Sequence, residues 1–179
     1  MNRHSFVPAV STLVTTRQRR LSVQGFKGSE GSQVHQVLRA FGGIPVAVQL
    51  YMAARDFTDL ITWQRADELE RFAIEMLRHP VLERDSQFCD QTRVSANSAT
   101  RNIAEGFGRF APPQFANFLR IAIGSEMETR NQIIKAWQRG ALTDPQKDVG
   151  LLLCRRAIAA AVQLRLYLDS PEATAEPTG

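Results

Sequence analysis

The chain has few cysteines and histidines, and their scarcity excludes several kinds of site. Its two cysteines, Cys89 and Cys154, lie far apart in a chain of 179 residues. This spacing argues against a disulfide scaffold and against a thiolate zinc site, and it favours a reducing, cytoplasmic compartment. The three histidines are His4, His35 and His79. None of them stands in the Glu-x-x-His motifs that a di-metal helical bundle needs, so no metal is expected.

Motifs for catalysis, cofactor binding and membrane insertion are also missing from the sequence. No apolar run approaches the roughly 20 residues of a membrane-spanning helix. The segment Gly106-Phe107-Gly108 lacks the third glycine and the preceding strand of a nucleotide-binding loop. Cys89 and Cys154 have no histidine in their predicted helices and are interpreted as inert core or interface residues. We therefore expect a protein that is not an enzyme, with no catalytic residue, cofactor, small-molecule substrate or membrane contact.

Acidic residues are nearly absent from the start of the chain. Six basic residues precede Met52 against Glu30 alone, whereas 16 basic and 17 acidic residues occur from Met52 onward. The net charge of +4 therefore belongs to this leader and not to the remainder of the chain. The simpler interpretation is a solvated tail, and the alternative is a basic arm that binds RNA or DNA by counterion release.

The change in composition near Met52 also indicates the domain organisation. Residues 1–55 show no helical or strand period and carry five glycines among Ser, Gln and Arg. Such a segment cannot bury enough apolar surface to order itself, so a disordered leader is predicted. An alternative is that Met52 is the true start of the protein. Residues 56–169 are predicted to form one helical domain, followed by a flexible tail over residues 170–179.

Beyond the leader, apolar residues recur with the helical period. Four helices are predicted, over residues 59–78, 85–105, 113–139 and 144–168. Capping residues and glycines mark their boundaries. The expected boundary residues are Asp85 or Ser86 and Asp144-Pro145 at helix starts, and Gly106, Gly108 and Gly140 at helix ends.

The helical pattern and the short connections predict an all-α fold, an up-down-up-down antiparallel four-helix bundle. The second helix has an inner stripe of small residues, which favours close packing against a neighbour. The third helix carries a second apolar stripe, and the fourth is apolar nearly all round. The second stripe of the third helix consists of Ala116, Ile123, Met127 and Ile134. In the fourth helix one apolar side, Leu151, Ile158, Val162 and Leu166, lies opposite another, Leu153, Ala157, Ala160 and Leu164. Because one protomer cannot cover both stripes, self-association is predicted.

Charged residues near the end of the second helix have a structural explanation. Glu105 stands four residues after Arg101 and four before Arg109, which is the spacing of ion pairs on one helix face. We interpret these pairs as fixing the helix end, since a lone carboxylate is a weak candidate for catalysis. Asn102 is expected to bond backbone groups of the following turn.

Glu126 falls inside the apolar arc of the third helix, with Arg130 one turn later. Two interpretations are open. The residues form a buried or interface ion pair, or both side chains extend outward from the edge of the arc.

A candidate nucleic-acid surface is suggested by basic residues on the second and third helices. They are Arg101, Arg109, Arg120, Lys135 and Arg139. Because Glu105, Glu128 and Asp90 share these faces, a solvated mixed surface is the favoured interpretation.

Three blocks of the sequence resemble a known family. They are Asp59-Leu60 with Trp63-Gln64 and Ala66, then Asn102 to Arg109, then Phe115 with Phe118-Leu119-Arg120-Ile121-Ala122, Gly124-Ser125 and Glu128. Through these blocks the chain resembles the four-helix bundle protein family, first noted as products of intervening sequences in bacterial 23S ribosomal RNA genes. It is also similar to accessory proteins of diversity-generating retroelements.

The resemblance implies an up-down four-helix bundle that assembles into a homo-oligomeric ring, typically a homopentamer, without enzymatic activity. In the retroelement relatives, a positively charged ring surface engages nucleic acid and a reverse transcriptase. The signature residues carried over are Asn102, Glu105, Gly106, Arg109, Gly124 and Glu128. The chain departs from the pattern at Thr100-Arg101, where relatives have Pro-Ser, and at Asn131, where they have Thr.

We expect a cytoplasmic homo-oligomer that acts as an interaction or scaffold module and associates with structured RNA or a ribonucleoprotein. The alternative is a nucleic-acid-binding accessory protein of a mobile element, the partner of a reverse transcriptase. Retention on RNA or DNA at low salt would separate the two functions.

Overall fold

The computed structural model describes residues 46–174, which form helices and short connections and contain no strand. Four helices are long: α2 (Ile61–Met76), α4 (Ser86–Gly108), α5 (Pro112–Gln138) and α6 (Asp144–Leu168). The shorter elements are α1 (Val46–Ala53), a 3-10 turn (Phe57–Asp59), α3 (Pro80–Glu83) and α7 (Pro171–Thr174). Each long helix begins and ends within three residues of its predicted range. The predicted all-α class is therefore confirmed for the described residues.

Side-chain caps fix the starts of α4 and α6. Asp85 accepts a hydrogen bond from a first-turn amide at 2.9 Å, which confirms the predicted cap of α4. For α6 the prediction was wrong, because the cap is Thr143 and not Asp144. Thr143 and Gln146 form a reciprocal capping box that satisfies two backbone donors together. Asp144 instead accepts a hydrogen bond from Trp137 Nε1 at 2.9 Å.

The end of α4 also differs from the prediction. The helix continues through Gly106 to Gly108, and neither glycine has a positive φ. Among the residues described, the left-handed backbone belongs to Phe110 (φ 52°) and to Gly140 (φ 74°), the latter as predicted for the end of α5. Phe110 thus occupies a conformation that glycine adopts with less strain.

Replacing Phe110 with glycine is expected to raise the free energy of unfolding by about 1 kcal/mol, because the left-handed strain is relieved. Little packing is lost, since the Phe110 side chain is 88% exposed. Denaturant unfolding measures the change. Phe110→Ala is the control, because it removes the ring but keeps the strained backbone. Equal stabilisation by alanine and glycine would contradict this explanation.

Helix α1 lies inside the segment that was predicted to be a disordered leader. The ring of Tyr51 lies 5.8 Å from that of Phe115 and 6.4 Å from that of Tyr167, measured between centroids. The prediction of disorder is therefore wrong for residues 46–53, which form a helix. Contacts with α5 and α6 stabilise this helix, although its sequence shows no helical period of apolar residues. Residues 171–174, predicted as part of the flexible tail, form α7. The predictions for residues 1–45 and 175–179 lie outside the described residues.

The four long helices pack in a closed cycle of neighbours, α2 on α4, α4 on α5, α5 on α6 and α6 on α2. Two apolar clusters fill the interior, one containing Leu69, Phe88 and Ile133 and the other Leu60 and Phe115 among others. On α4 and α5, buried polar residues lie in sequence between the two clusters. They are Thr92, Ser95, Glu126, Thr129 and Gln132.

Candidate interaction surface

A seam of polar side chains joins α4 to α5. The Ser125 hydroxyl donates to Ser98 Oγ at 2.8 Å, and the Thr129 hydroxyl donates to Ser95 Oγ at 3.2 Å. The order of these pairs shows that the two helices run in opposite directions. Asn102 donates to the Ser98 carbonyl at 2.7 Å and to Ser98 Oγ at 3.1 Å. The expectation that Asn102 bonds backbone groups of the following turn is wrong. The helix continues beyond Asn102 to Gly108, and the side-chain amide donates to Ser98, one helical turn earlier.

Gly106 lets α4 and α5 approach each other closely. A Cβ atom at this position would lie 2.8 Å from Phe118 Cβ and closer still to the ring of Phe115. Because Phe115 is buried and Phe118 Cβ is attached to the backbone of α5, neither can move aside cheaply. The signature glycine is therefore explained by helix packing.

Glu105 and Arg109 form an exposed ion pair across one turn of α4. The guanidinium of Arg109 also lies over the ring of Phe118, 5.4 Å from its centroid. This arrangement agrees with the structural role predicted for the pair. Arg101 is exposed and does not join Glu105 in the ion pairs of the described residues.

Most of the basic residues predicted as nucleic-acid contacts form ion pairs within the protomer. Arg120 donates to both carboxylate oxygens of Asp169, at 2.9 and 3.0 Å, and Arg139 donates to Asp85 at 2.9 Å. Arg120 and Arg139 are 19 positions apart along one helix, a separation of about 28 Å. With Arg109 also paired, three of the five candidate side chains are engaged within the protomer.

Three of the singled-out positions lie on the outer side of α5. Gly124, Glu128 and Lys135 are all exposed. A Cβ atom at Gly124 would meet no atom within 4 Å. Packing within the described residues therefore does not require glycine at this position.

An apolar groove runs along the outer surface between α5 and α6. It encloses about 400 Å³ and is lined by Met127, Arg130, Leu151, Arg155, Ile158, Ala159 and Val162. Met127 is 53% exposed, and Leu166, one turn beyond Val162, is 56% exposed. Met127 belongs to the second stripe predicted for α5, but Ala116 of the same stripe is fully buried in the core. Ile158 and Val162 belong to one of the two apolar sides predicted for α6.

Glu126 is buried beside this groove without a partner. Its side chain is 0% exposed, and neither carboxyl oxygen has a hydrogen-bond partner in the part of the chain described. Burial raises the pKa of Glu126 to about 8, so the carboxyl group is neutral at pH 7. Arg130 is exposed and makes no ion pair with it. The predicted buried ion pair is therefore wrong, and so is the outward orientation of Glu126, whereas Arg130 does extend outward. An ion pair of these residues at an interface stays a prediction.

The two cysteines are buried and unpaired, as predicted for core residues. Burial raises the pKa of the Cys154 thiol to about 12 and also raises the pKa of Cys89 above its ordinary value. The Cys89 thiol donates to the Leu82 carbonyl at 3.2 Å. Because the thiolate is the reactive form, thiols that stay protonated are poor nucleophiles and poor metal ligands.

Residues 46–174 contain no group of three His, Cys, Asp or Glu side chains placed to hold a metal ion. In the same residues, every helix is too short or too polar to cross a membrane.

Comparison with known proteins identifies the family. The family model of the 23S rRNA-intervening sequence protein matches residues 58–160, more than half of the chain. The match therefore includes α2, α4, α5 and most of α6. No curated protein and no solved structure gives a significant match. On the family match, the chain belongs to the 23S rRNA-intervening sequence protein family.

Proposed function

We propose that this protein is a non-enzymatic, oligomeric helical module that acts as a scaffold for structured RNA or a ribonucleoprotein in the bacterial cytoplasm. The link to ribosomal RNA in the description of the family supports the RNA part of the proposal. The two free cysteines support a reducing compartment. In this proposal the long helices form an up-down-up-down antiparallel bundle, and the copies form a ring. Five copies is the number that the family resemblance implies.

The observation that carries the proposal is the apolar groove between α5 and α6. Met127 and Val162 line it together with Leu151 and Ile158, which also pack against one of the two interior clusters. Covering such side chains is worth about 25 cal/mol per Å² of apolar surface. A second copy of the chain that covers the groove would therefore be held there by the hydrophobic effect.

Replacing Met127 with glutamate is expected to reduce the mass measured by light scattering to that of one protomer. A carboxylate buried in an apolar interface without a partner loses its hydration. This desolvation penalty exceeds the favourable free energy of the apolar contact. Val94→Glu is the matched control, because Val94 is 70% exposed on α4, away from the groove. An unchanged mass for Met127→Glu, with a wild-type circular dichroism spectrum, would contradict the proposed interface.

A second candidate function is that of a nucleic-acid-binding accessory protein of a mobile element. The observation that favours it is that Arg101, Lys135, Arg155 and Arg156 are exposed, with no ion pair among the described residues. Phosphate contacts by such side chains make binding depend steeply on salt. Retention of full-length protein on RNA and on DNA, measured from low to high salt, tests this function. No retention on either nucleic acid at low salt removes this function and also removes direct RNA binding from the first proposal, which then keeps only an oligomeric scaffold for a ribonucleoprotein.

A further inference from the structure

The buried carboxyl group of Glu126 has an environment that only its neutral form tolerates. It is fully enclosed, and both of its oxygens lack a hydrogen-bond donor in the described structure. An ionised carboxylate at such a position costs several kcal/mol by desolvation unless it is paired. Ionisation of Glu126 therefore requires the side chain or the surrounding helices to move.

Few charged or titratable groups face Glu126. On α5 the nearest cation in the sequence is Arg130, one turn away, and from α6 the thiol of Cys154 interacts electrostatically with both Glu126 and Arg130. The buried residues of α2 and α4 carry no charge, and Cys89 is the titratable one among them. The nearest cation along the helix to an ionised Glu126 is thus Arg130, and exposed Glu128 is a closer anion.

Arg130 connects Glu126 to the groove. It lines the groove together with Met127. A glutamate four residues before an arginine is the favoured orientation for an ion pair on a helix. If the ionised carboxylate turns toward Arg130, a carboxylate joins the arginine in the wall of the groove. The same movement empties the place that Glu126 fills beside Cys154, so the packing of α5 on α6 loosens.

We propose that self-association through the α5–α6 groove is controlled by the protonation of Glu126: copies assemble while its carboxyl group is neutral and separate once it ionises. This inference rests on the proposed oligomer. The raised pKa of Glu126 puts the change in the mildly alkaline range. As the pH rises through that range, a carboxylate joins Arg130 at the groove, and the packing of α5 on α6 that shapes the groove loosens.

The test is light scattering of the full-length protein at pH 6.5 and pH 9. We expect the wild type to form an oligomer at pH 6.5 and to need at least a tenfold higher concentration for assembly at pH 9. Glu126→Gln should assemble equally at both pH values. Glu128→Gln is the matched control, because Glu128 is exposed two residues further along α5. This control should follow the wild type.

Each outcome supports or overturns the inference. A wild-type oligomer of unchanged mass at both pH values overturns the switch but keeps the proposed function, whereas a single protomer at both values overturns both. A Glu126→Gln variant that loses assembly in parallel with the wild type also overturns the switch.

If Glu126→Gln does not fold, Glu126→Met replaces it. Carboxyl-carbon resonances of the wild type, labelled on glutamate, give a reading that needs no variant. One resonance that titrates above pH 7 together with the change in mass supports the inference, and the absence of any such resonance overturns it.

Discussion

Replacing Gly106 with alanine is expected to lower the free energy of unfolding by about 2 kcal/mol, although alanine is the better helix former. The added Cβ would lie 2.8 Å from Phe118 Cβ and would overlap the ring of Phe115. Since Phe115 is buried among apolar neighbours, the helices must separate to accept the methyl group. Urea denaturation at a fixed protein concentration measures the loss.

Gly108→Ala is the matched control for this experiment. Gly108 lies on the same helix two residues later, and a Cβ there would meet no atom within 4 Å. The control should be neutral or stabilising by up to about 1 kcal/mol, because alanine restricts the unfolded chain. A Gly106→Ala variant as stable as Gly108→Ala would show that the α4–α5 contact is looser than the structure indicates.

Glu126 is expected to make the stability of the protein fall as the pH rises. Its pKa is about 8 in the folded protein and 4.5 in the ordinary reference state. Between pH 4.5 and about pH 8 the carboxyl group of Glu126 is protonated in the folded state and ionised in the unfolded state. Raising the pH within this window therefore favours unfolding. The free energy of unfolding should decrease by about 1.4 kcal/mol per pH unit in this window, or about 4–5 kcal/mol across it. Below pH 4.5 both states are protonated and this dependence ends.

The measurement is chemical denaturation at several pH values between 5 and 8.5. Subtracting the profile of Glu126→Gln from that of the wild type isolates the contribution of this carboxyl group, because other titrating side chains are common to both. Glu128→Gln, which changes an exposed carboxylate, should keep the wild-type slope. Parallel profiles for the wild type and Glu126→Gln would mean that Glu126 is not held neutral in the folded protein.

The sequence was sufficient to predict the four long helices because their apolar residues repeat with the helical period over more than a dozen residues each. It failed at boundaries that depend on tertiary contacts. Gly106 looks like a helix end, yet its small size serves the contact with Phe115. Tyr51 lies in a segment without a clear local pattern, and its partners are distant in the sequence.

The candidate surface was predictable in part. The stripes containing Met127 and Val162 are visible in the sequence, and the structure places both residues in one groove. The isolation of Glu126 was not predictable, because spacing alone suggests an ion pair with Arg130. The packing of α6 on α5 determines whether a glutamate within the apolar arc turns inward. This packing cannot be predicted from the residues near Glu126 in the sequence. The ion pair of Arg120 with Asp169 was likewise not predictable, because Asp169 follows α6 and is 49 positions away in the sequence.

We propose that copies of this chain associate through the groove between α5 and α6. Native mass spectrometry of the full-length protein, sprayed near pH 6.5 over a range of concentrations, tests it most directly. We expect the dominant species to contain several copies of the chain, five according to the family resemblance. The Met127→Glu variant should give only the mass of one protomer. A wild-type protein that stays at the mass of one protomer at every concentration would contradict it.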